Sequence, residues 1–143
     1  FMWPRPDPIL MDMKTGEVSK QQPHIHRLTR LGVAAAERGR GLPFIYEVSS
    51  TLYGGRIENW HQGTHLRDAA ARAGVELAEL DAAIERDADR YEALITANQE
   101  AHRKAGHWGV PTFAFNGEPF FGQDRIDALL WRLGQHGLKR RAN

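Results

Sequence analysis

Two short stretches of this sequence combine residue types that can hold a small peptide. The first is Val110-Pro111. A peptide bond before proline reaches the cis form at a cost of only about 0.5–1 kcal/mol, against several for any other residue. A cis bond there turns the N–H and carbonyl of Val110 outward at a chain reversal. They can then pair with an extended peptide as a strand would. The second stretch is Gln123-Asp124, at the start of an apolar-periodic segment. A helix that begins there offers unsatisfied N–H groups and partial positive charge, which suit a ligand carboxylate. Asp124 offers an ion partner for a ligand ammonium. Each feature also has a plainer role: Val110-Pro111 as an ordinary trans turn, Asp124 as an acidic complement to a helix dipole. Trp108, just before the turn, either lines a substrate pocket or packs in a core.

Other chemistry is narrower. The chain has 143 residues and no cysteine, so disulfides, thiolate metal sites and a cysteine nucleophile are excluded within it. His61 and His65 are four apart, a spacing that binds metal on a helix. Gly63 lies between them and no other ligand type is near, so no metal site is expected. His24 and His26 are two apart at a helix start and diverge; His107 reads as a helix-end histidine. Ser49 and Ser50 lack the strand–turn–helix setting of a nucleophile. The net charge of +1 gives no sign of a nucleic-acid surface. The basic cluster Lys139-Arg140-Arg141 reads as a solvated tail. No apolar run approaches the ~20 residues that span a bilayer, and no stretch has the order of a secretion signal.

The elements that must position these residues follow from spacing. Phe1-Met2-Trp3 is an abrupt apolar start and reads as the end of a strand, with further sequence expected upstream of Phe1. Pro4, Pro6 and Pro8 exclude regular structure, and 12–22 reads as a polar loop. Ile25, Leu28, Leu31 and Ala35 recur at helical spacing, and Gly39 and Gly41 stop that helix. The segment 44–53 is ambiguous. Ile45, Tyr46, Val48 and Thr51 favour a strand by propensity, whereas Phe44, Val48 and Leu52 share one helical face, and helix is the reading adopted. Thr64 is the predicted N-cap of a helix through Leu66, Ala69 and Ala70. Leu77, Leu80 and Ile84 mark another helix, and 87–105 a longer one closed by Gly106. The hairpin signal Asn116-Gly117 separates two short strands, 112–115 and 118–121, whose phenylalanines are expected mostly in the core. Ile126, Leu129, Leu130 and Leu133 define a closing helix. A two-stranded hairpin is not stable alone, a second reason to expect an upstream strand–helix–strand unit.

Gly109-Val110-Pro111-Thr112-Phe113, then Asn116-Gly117, then Phe121-Gly122-Gln123-Asp124-Arg125 resembles the C-terminal half of a thioredoxin fold. It is similar in particular to the DsbA-like group of 2-hydroxychromene-2-carboxylate isomerases and kappa-class glutathione transferases. The likeness is tight over 106–133 and looser before Leu42. It implies an α/β thioredoxin-like fold with an inserted helical domain. Residues 1–41 would be a remnant of the thioredoxin-like domain and a linker, 42–106 the helical insertion, and 107–143 the C-terminal hairpin and helix. It implies a cis Pro111, glutathione as cosubstrate, Val110 on its cysteinyl part, and Gln123 with Asp124 on its γ-glutamyl part. It also implies an isomerase or transferase acting on a small aromatic or conjugated substrate, with Trp108 near that substrate and Arg5 in reach of it. The group's serine, or the Cys-X-X-Cys of a DsbA-type disulfide oxidoreductase, would lie upstream of Phe1, so no catalytic residue is assigned in this chain. A homodimer in the cytoplasm, with no nucleic-acid or membrane partner, completes the expectation. A DsbA-type oxidoreductase acting on unfolded polypeptide is the alternative. A helical interaction module capped by the hairpin is a third, non-enzymatic reading.

Overall fold

The computed structural model describes residues 3–139. Phe1, Met2, Arg140 and Arg141, invoked above for a strand end and a basic tail, lie outside them. Among the described residues six helices and one hairpin follow in order: α1 (Ile25–Glu37), α2 (Gly41–Tyr53), α3 (His65–Arg72), α4 (Leu77–Arg86), α5 (Ala88–Lys104), β1 (Thr112–Phe115), β2 (Glu118–Phe121) and α6 (Ile126–Gln135). A single 3-10 turn, Gln123–Arg125, precedes α6. The chain divides into two compact units, 1–95 and 96–143, and the division falls inside α5. No helix among the described residues is long and apolar enough to cross a membrane.

The first unit is a helical cluster. Its core joins Leu31, Ala34 and Ala35 of α1, Phe44, Val48 and Leu52 of α2, Leu66, Ala69 and Ala70 of α3, and Leu80, Ala83 and Ile84 of α4, with Trp60 and Tyr91 completing it. Residues 25–37, placed by sequence in the 1–41 segment, thus pack into one core with the helices that follow. The ambiguous segment 44–53 is helical, and its burial fits only one of the two periodicities: Phe44, Val48, Thr51 and Leu52 are buried while Tyr46 is exposed, a pattern that a 3.6-residue period gives, whereas a 2-residue period would set Tyr46 on the face of Phe44 and Val48 and Thr51 on the other. Alanines at the contacts let the helices approach closely. A Cβ on Gly41 would lie 2.9 Å from Ala36 Cβ, so the α1–α2 turn needs glycine there.

Ion pairs tie this cluster at its rim. Arg27 of α1 donates to both carboxylate oxygens of Asp81 of α4 at 2.9 and 2.7 Å. Arg90 of α5 donates to both oxygens of Glu37 of α1 at 2.6 and 2.9 Å. Arg72 of α3 reaches Glu47 of α2 at 2.6 Å. Solvent-exposed pairs of this kind add little to stability. Thr64 occupies the N-cap position of α3 but caps no backbone group with its side chain; its hydroxyl donates instead to Asp68 at 2.6 Å. The 12–22 loop is ordered about Asp12, whose side chain accepts from Lys14 N–H at 2.7 Å, with an isolated bridge between Met11 and Val18.

The second unit is the end of α5, the hairpin and α6. Asn116 and Gly117 take φ +50° and +80°, the primed two-residue turn that Asn-Gly favours. The register pairs Thr112 with Phe121, Phe113 with Phe120, Ala114 with Pro119 and Phe115 with Glu118. Opposed residues share a face, so Phe113, Phe115, Glu118 and Phe120 point to one side. α6 lies on that side: Arg132 donates to Glu118 at 3.0 Å, and His136 meets the Phe115 ring edge-on at 5.1 Å. The phenylalanines are less buried than their alternation suggests. Phe120 is 7% exposed and Phe121 is 41% exposed. Phe121 lies on the hairpin face opposite α6, and α6 buries no residue fully. Among the described residues, no third strand joins either hairpin edge.

Candidate functional site

The loop from Gly106 to Thr112 is built by hydrogen bonds that converge on Gly109. The Gly109 carbonyl accepts from His102 Nε2 at 2.8 Å and from the Thr112 hydroxyl at 2.5 Å. Its N–H donates to His107 Nδ1 at 2.9 Å. A carbonyl can only accept, so His102 carries its proton on Nε2. Nδ1 of His107 must be unprotonated to accept, which places that ring's proton on Nε2. The His107 ring stacks on Phe121 at 3.8 Å and 14°. A Cβ on Gly109 would run into the Phe121 ring. Glycine is therefore required at 109 by close approach, while φ +99° favours it at Gly106, where a Cβ would also sit 3.0 Å from Pro119.

This clamp delivers the chain to Val110-Pro111, whose peptide bond is cis; Arg5-Pro6 is the second cis bond. Val110 is 80% exposed, and among the described residues its N–H and carbonyl form no hydrogen bond. Both groups thus stand unpaired at the turn. The Pro111 carbonyl accepts from Gly122 N–H at 2.9 Å, which continues the hairpin ladder one step past Thr112–Phe121. That bond fixes the spatial relation of the two candidate stretches. Val110-Pro111 and Gln123-Asp124 stand side by side at the open end of the hairpin.

The helix tip itself differs in form from the expectation. Gln123 opens a 3-10 turn, and the α-helix proper starts at Ile126. Gly122, at φ +97°, makes the corner, and the Asp124 carboxylate folds back against its Cα. Asp124 is exposed and 3.6 Å from the Arg125 guanidinium, so its charge is only partly offset. Trp108 is 83% exposed and stacks loosely on His107 at 5.5 Å. Of its two sequence readings, core packing is not the one seen. Arg5 pairs with Glu58 at 3.4 Å, both side chains well exposed, and it belongs to the first unit. Among the described residues no three His, Cys, Asp or Glu side chains converge to hold a metal.

Sequence reasoning missed His102 and His107 as the supports of the turn. Their positions five apart at a helix end carry no periodic signal; only the Gly between them and Pro111 hinted at a crowded loop. The arrangement sets an unpaired backbone N–H and carbonyl at Val110 beside an exposed carboxylate at Asp124. No nucleophile or thiol-activating side chain is assigned at this tip within the chain. Comparison with curated proteins finds no match, and neither does comparison with solved structures. The model of the DSBA-like thioredoxin domain matches residues 14–134. That span covers the helical cluster, the cis-proline turn, the hairpin and nearly all of α6, and on it the chain belongs to the DSBA-like thioredoxin domain family.

Proposed function

We propose that the protein is a glutathione-dependent isomerase or transferase acting on a small aromatic or conjugated substrate. The family includes isomerases, glutathione transferases and disulfide oxidoreductases. The observation that carries the reading is the Pro111–Gly122 hydrogen bond, which sets the exposed Val110 backbone beside Gln123 and Asp124. In this reading the Val110 N–H and carbonyl pair with the cysteinyl backbone of glutathione. The 123–124 turn receives its γ-glutamyl end, with N–H groups for the carboxylate and Asp124 for the ammonium. Pro111 shapes the turn, and Trp108, standing exposed beside it, forms one wall for the second substrate. A hydroxyl upstream of Phe1 would hydrogen-bond the thiol and favour its thiolate, the attacking form. The thiolate sulfur would form a C–S bond at the electrophilic carbon of a conjugated acceptor. Bond rotation followed by C–S cleavage gives an isomer and returns the thiolate; uptake of a proton with the C–S bond kept gives a transferase product. The reading includes a homodimer and a cytoplasmic setting.

Calorimetry with glutathione on the full-length protein is the test. Binding is expected, and Asp124→Ala should weaken it by roughly tenfold or more, the loss of a charged hydrogen bond of about 1.5–3 kcal/mol. No binding, or binding indifferent to Asp124→Ala, would defeat the reading.

A DsbA-type oxidoreductase is the second reading, favoured by the same unpaired Val110 backbone, which would equally receive an extended polypeptide. Cys-X-X-Cys in the residues before Phe1 would select it; Ser-Pro would select the first.

A further inference from the structure

A second site lies in the helical cluster, independent of the cis-proline turn. The start of α1 and the segment at 60–61 enclose a cavity of about 80 Å³ lined by Pro23, His24, Arg27, Trp60, His61 and other apolar groups. This is the volume of roughly two or three waters at ~30 Å³ each. The imidazoles of His24 and His61 face each other with centroids 4.8 Å apart. Trp60 is 1% exposed and fixed by its indole N–H donating to the Pro6 carbonyl at 2.6 Å. It meets both rings edge-on at 5.2 and 5.7 Å, so the cavity has a rigid wall.

The polar groups here are unbalanced in one direction. His61 Nδ1 is buried and has no hydrogen-bond partner, in a setting where such an atom costs about 1–3 kcal/mol. Arg27 spends Nε and Nη2 on Asp81, not Nη1. No acidic side chain lines the cavity. The first turn of α1 carries no acidic residue, and its N-cap, His24, bonds no backbone group with its side chain. The helix therefore brings its partial positive charge to a place already lined with nitrogen donors. Burial, with His61 and Arg27 adding repulsion, pushes the His24 imidazole below its ordinary value. The acids that act on Arg27 are Asp81, which it hydrogen-bonds, and Glu85.

We propose that this cavity binds a small oxyanion, a phosphate or carboxylate group, held between the His24 and His61 rings and the Arg27 guanidinium. Such an ion can accept from His61 Nδ1, which has no partner in the protein, and offsets the repulsion that His61 and Arg27 exert on His24. The spacing of the rings would also suit two ligands of one metal ion. Arg27 beside them makes the site repel cations, and no third His, Cys, Asp or Glu among the described residues joins the pair.

The test is a titration of the full chain with inorganic phosphate, read on the histidine ring resonances by NMR at pH 6 and pH 8, with chloride at matched ionic strength as control. The expected result is a saturable shift of His24 and His61 at pH 6, with exposed His26 unmoved. With sulfate, whose charge does not change between the two pH values, in place of phosphate, binding should be weaker at pH 8, where the His24 imidazole is neutral. His61→Gln should remove most of the response; His24→Gln serves if the first variant unfolds. An unsaturated response, a response equal to that of chloride, or saturable binding of Zn²⁺ at both rings with none of phosphate overturns the proposal.

Discussion

Trp60 anchors the proline-rich entry of the chain to the helical cluster, and Trp60→Phe measures that anchor. The substitution keeps an aromatic ring in a position that is 1% exposed and removes two things. One is the indole N–H that donates to the Pro6 carbonyl at 2.6 Å, a neighbour of the Asn59 N–H to Arg5 carbonyl bond at 2.8 Å. A net hydrogen bond of this kind contributes about 1 kcal/mol. The other is the second ring, about 40 Å³ of packed volume, which at ~24 cal/mol per Å³ of residual cavity comes to about 1 kcal/mol. The sum is about 2 kcal/mol. With a urea dependence of about 1–3 kcal/mol per molar, the unfolding midpoint should fall by roughly 1 M at unchanged slope. Urea unfolding followed by far-ultraviolet circular dichroism reads this directly. A midpoint within about 0.3 M of the parent, less than a third of the bond and cavity terms together, would show that the entry segment is not held through this ring. A changed slope would show that the substitution alters the denatured or native state more broadly.

Two further outcomes follow from the geometry. The Arg90 guanidinium, hydrogen-bonded to Glu37, holds that carboxyl down at about 2, against an ordinary 4.5. Its stabilising effect is therefore complete above pH 4.5 and is lost as the pH falls toward 2; Arg90→Gln should move the Glu37 midpoint, read by carboxyl NMR, up toward the ordinary value, and a midpoint already near 4.5 in the parent would contradict the pairing. Gly109→Ala places a methyl group into the Phe121 ring, so it should cost about 1–3 kcal/mol by overpacking and disturb the His107–Phe121 stack; an unaltered His107 ring shift in the variant would refute the close approach.

Local signals were strong where one short-range rule governs the backbone. Asn116-Gly117 and Gly106 forecast a hairpin and a helix end because positive φ is a property of one or two residues. The helical reading of 44–53 needed the tertiary core, since its β-branched residues argue the other way and only the burial of Thr51 beside Leu52, with Tyr46 exposed, settles it. The exposure of Phe121 was not legible from alternation: period-2 patterning tells which residues share a face, not whether anything covers that face. At the candidate site, Val110-Pro111 and Gln123-Asp124 could be named from the sequence, because proline and helix-start chemistry are local. Their adjacency depends on hairpin register, which Asn-Gly implies. The His24–His61 pair was invisible, because its members lie on separate segments and meet only through the packing of Trp60.

The helical cluster is held together by methyl groups as much as by large side chains. Ala34, Ala35, Ala69, Ala70, Ala73 and Ala83 are all 4% exposed or less. Backbones that close leave no slack, and protein interiors register even one added methylene. In a randomised library these six positions would behave as a size filter that admits glycine, alanine and serine and rejects leucine. The solvent-facing surface of α2, where Leu42 and Tyr46 stand exposed, would accept nearly any residue. The chain's capacity to diverge is thus concentrated on the outside of its helices, and its identity is written in its smallest side chains.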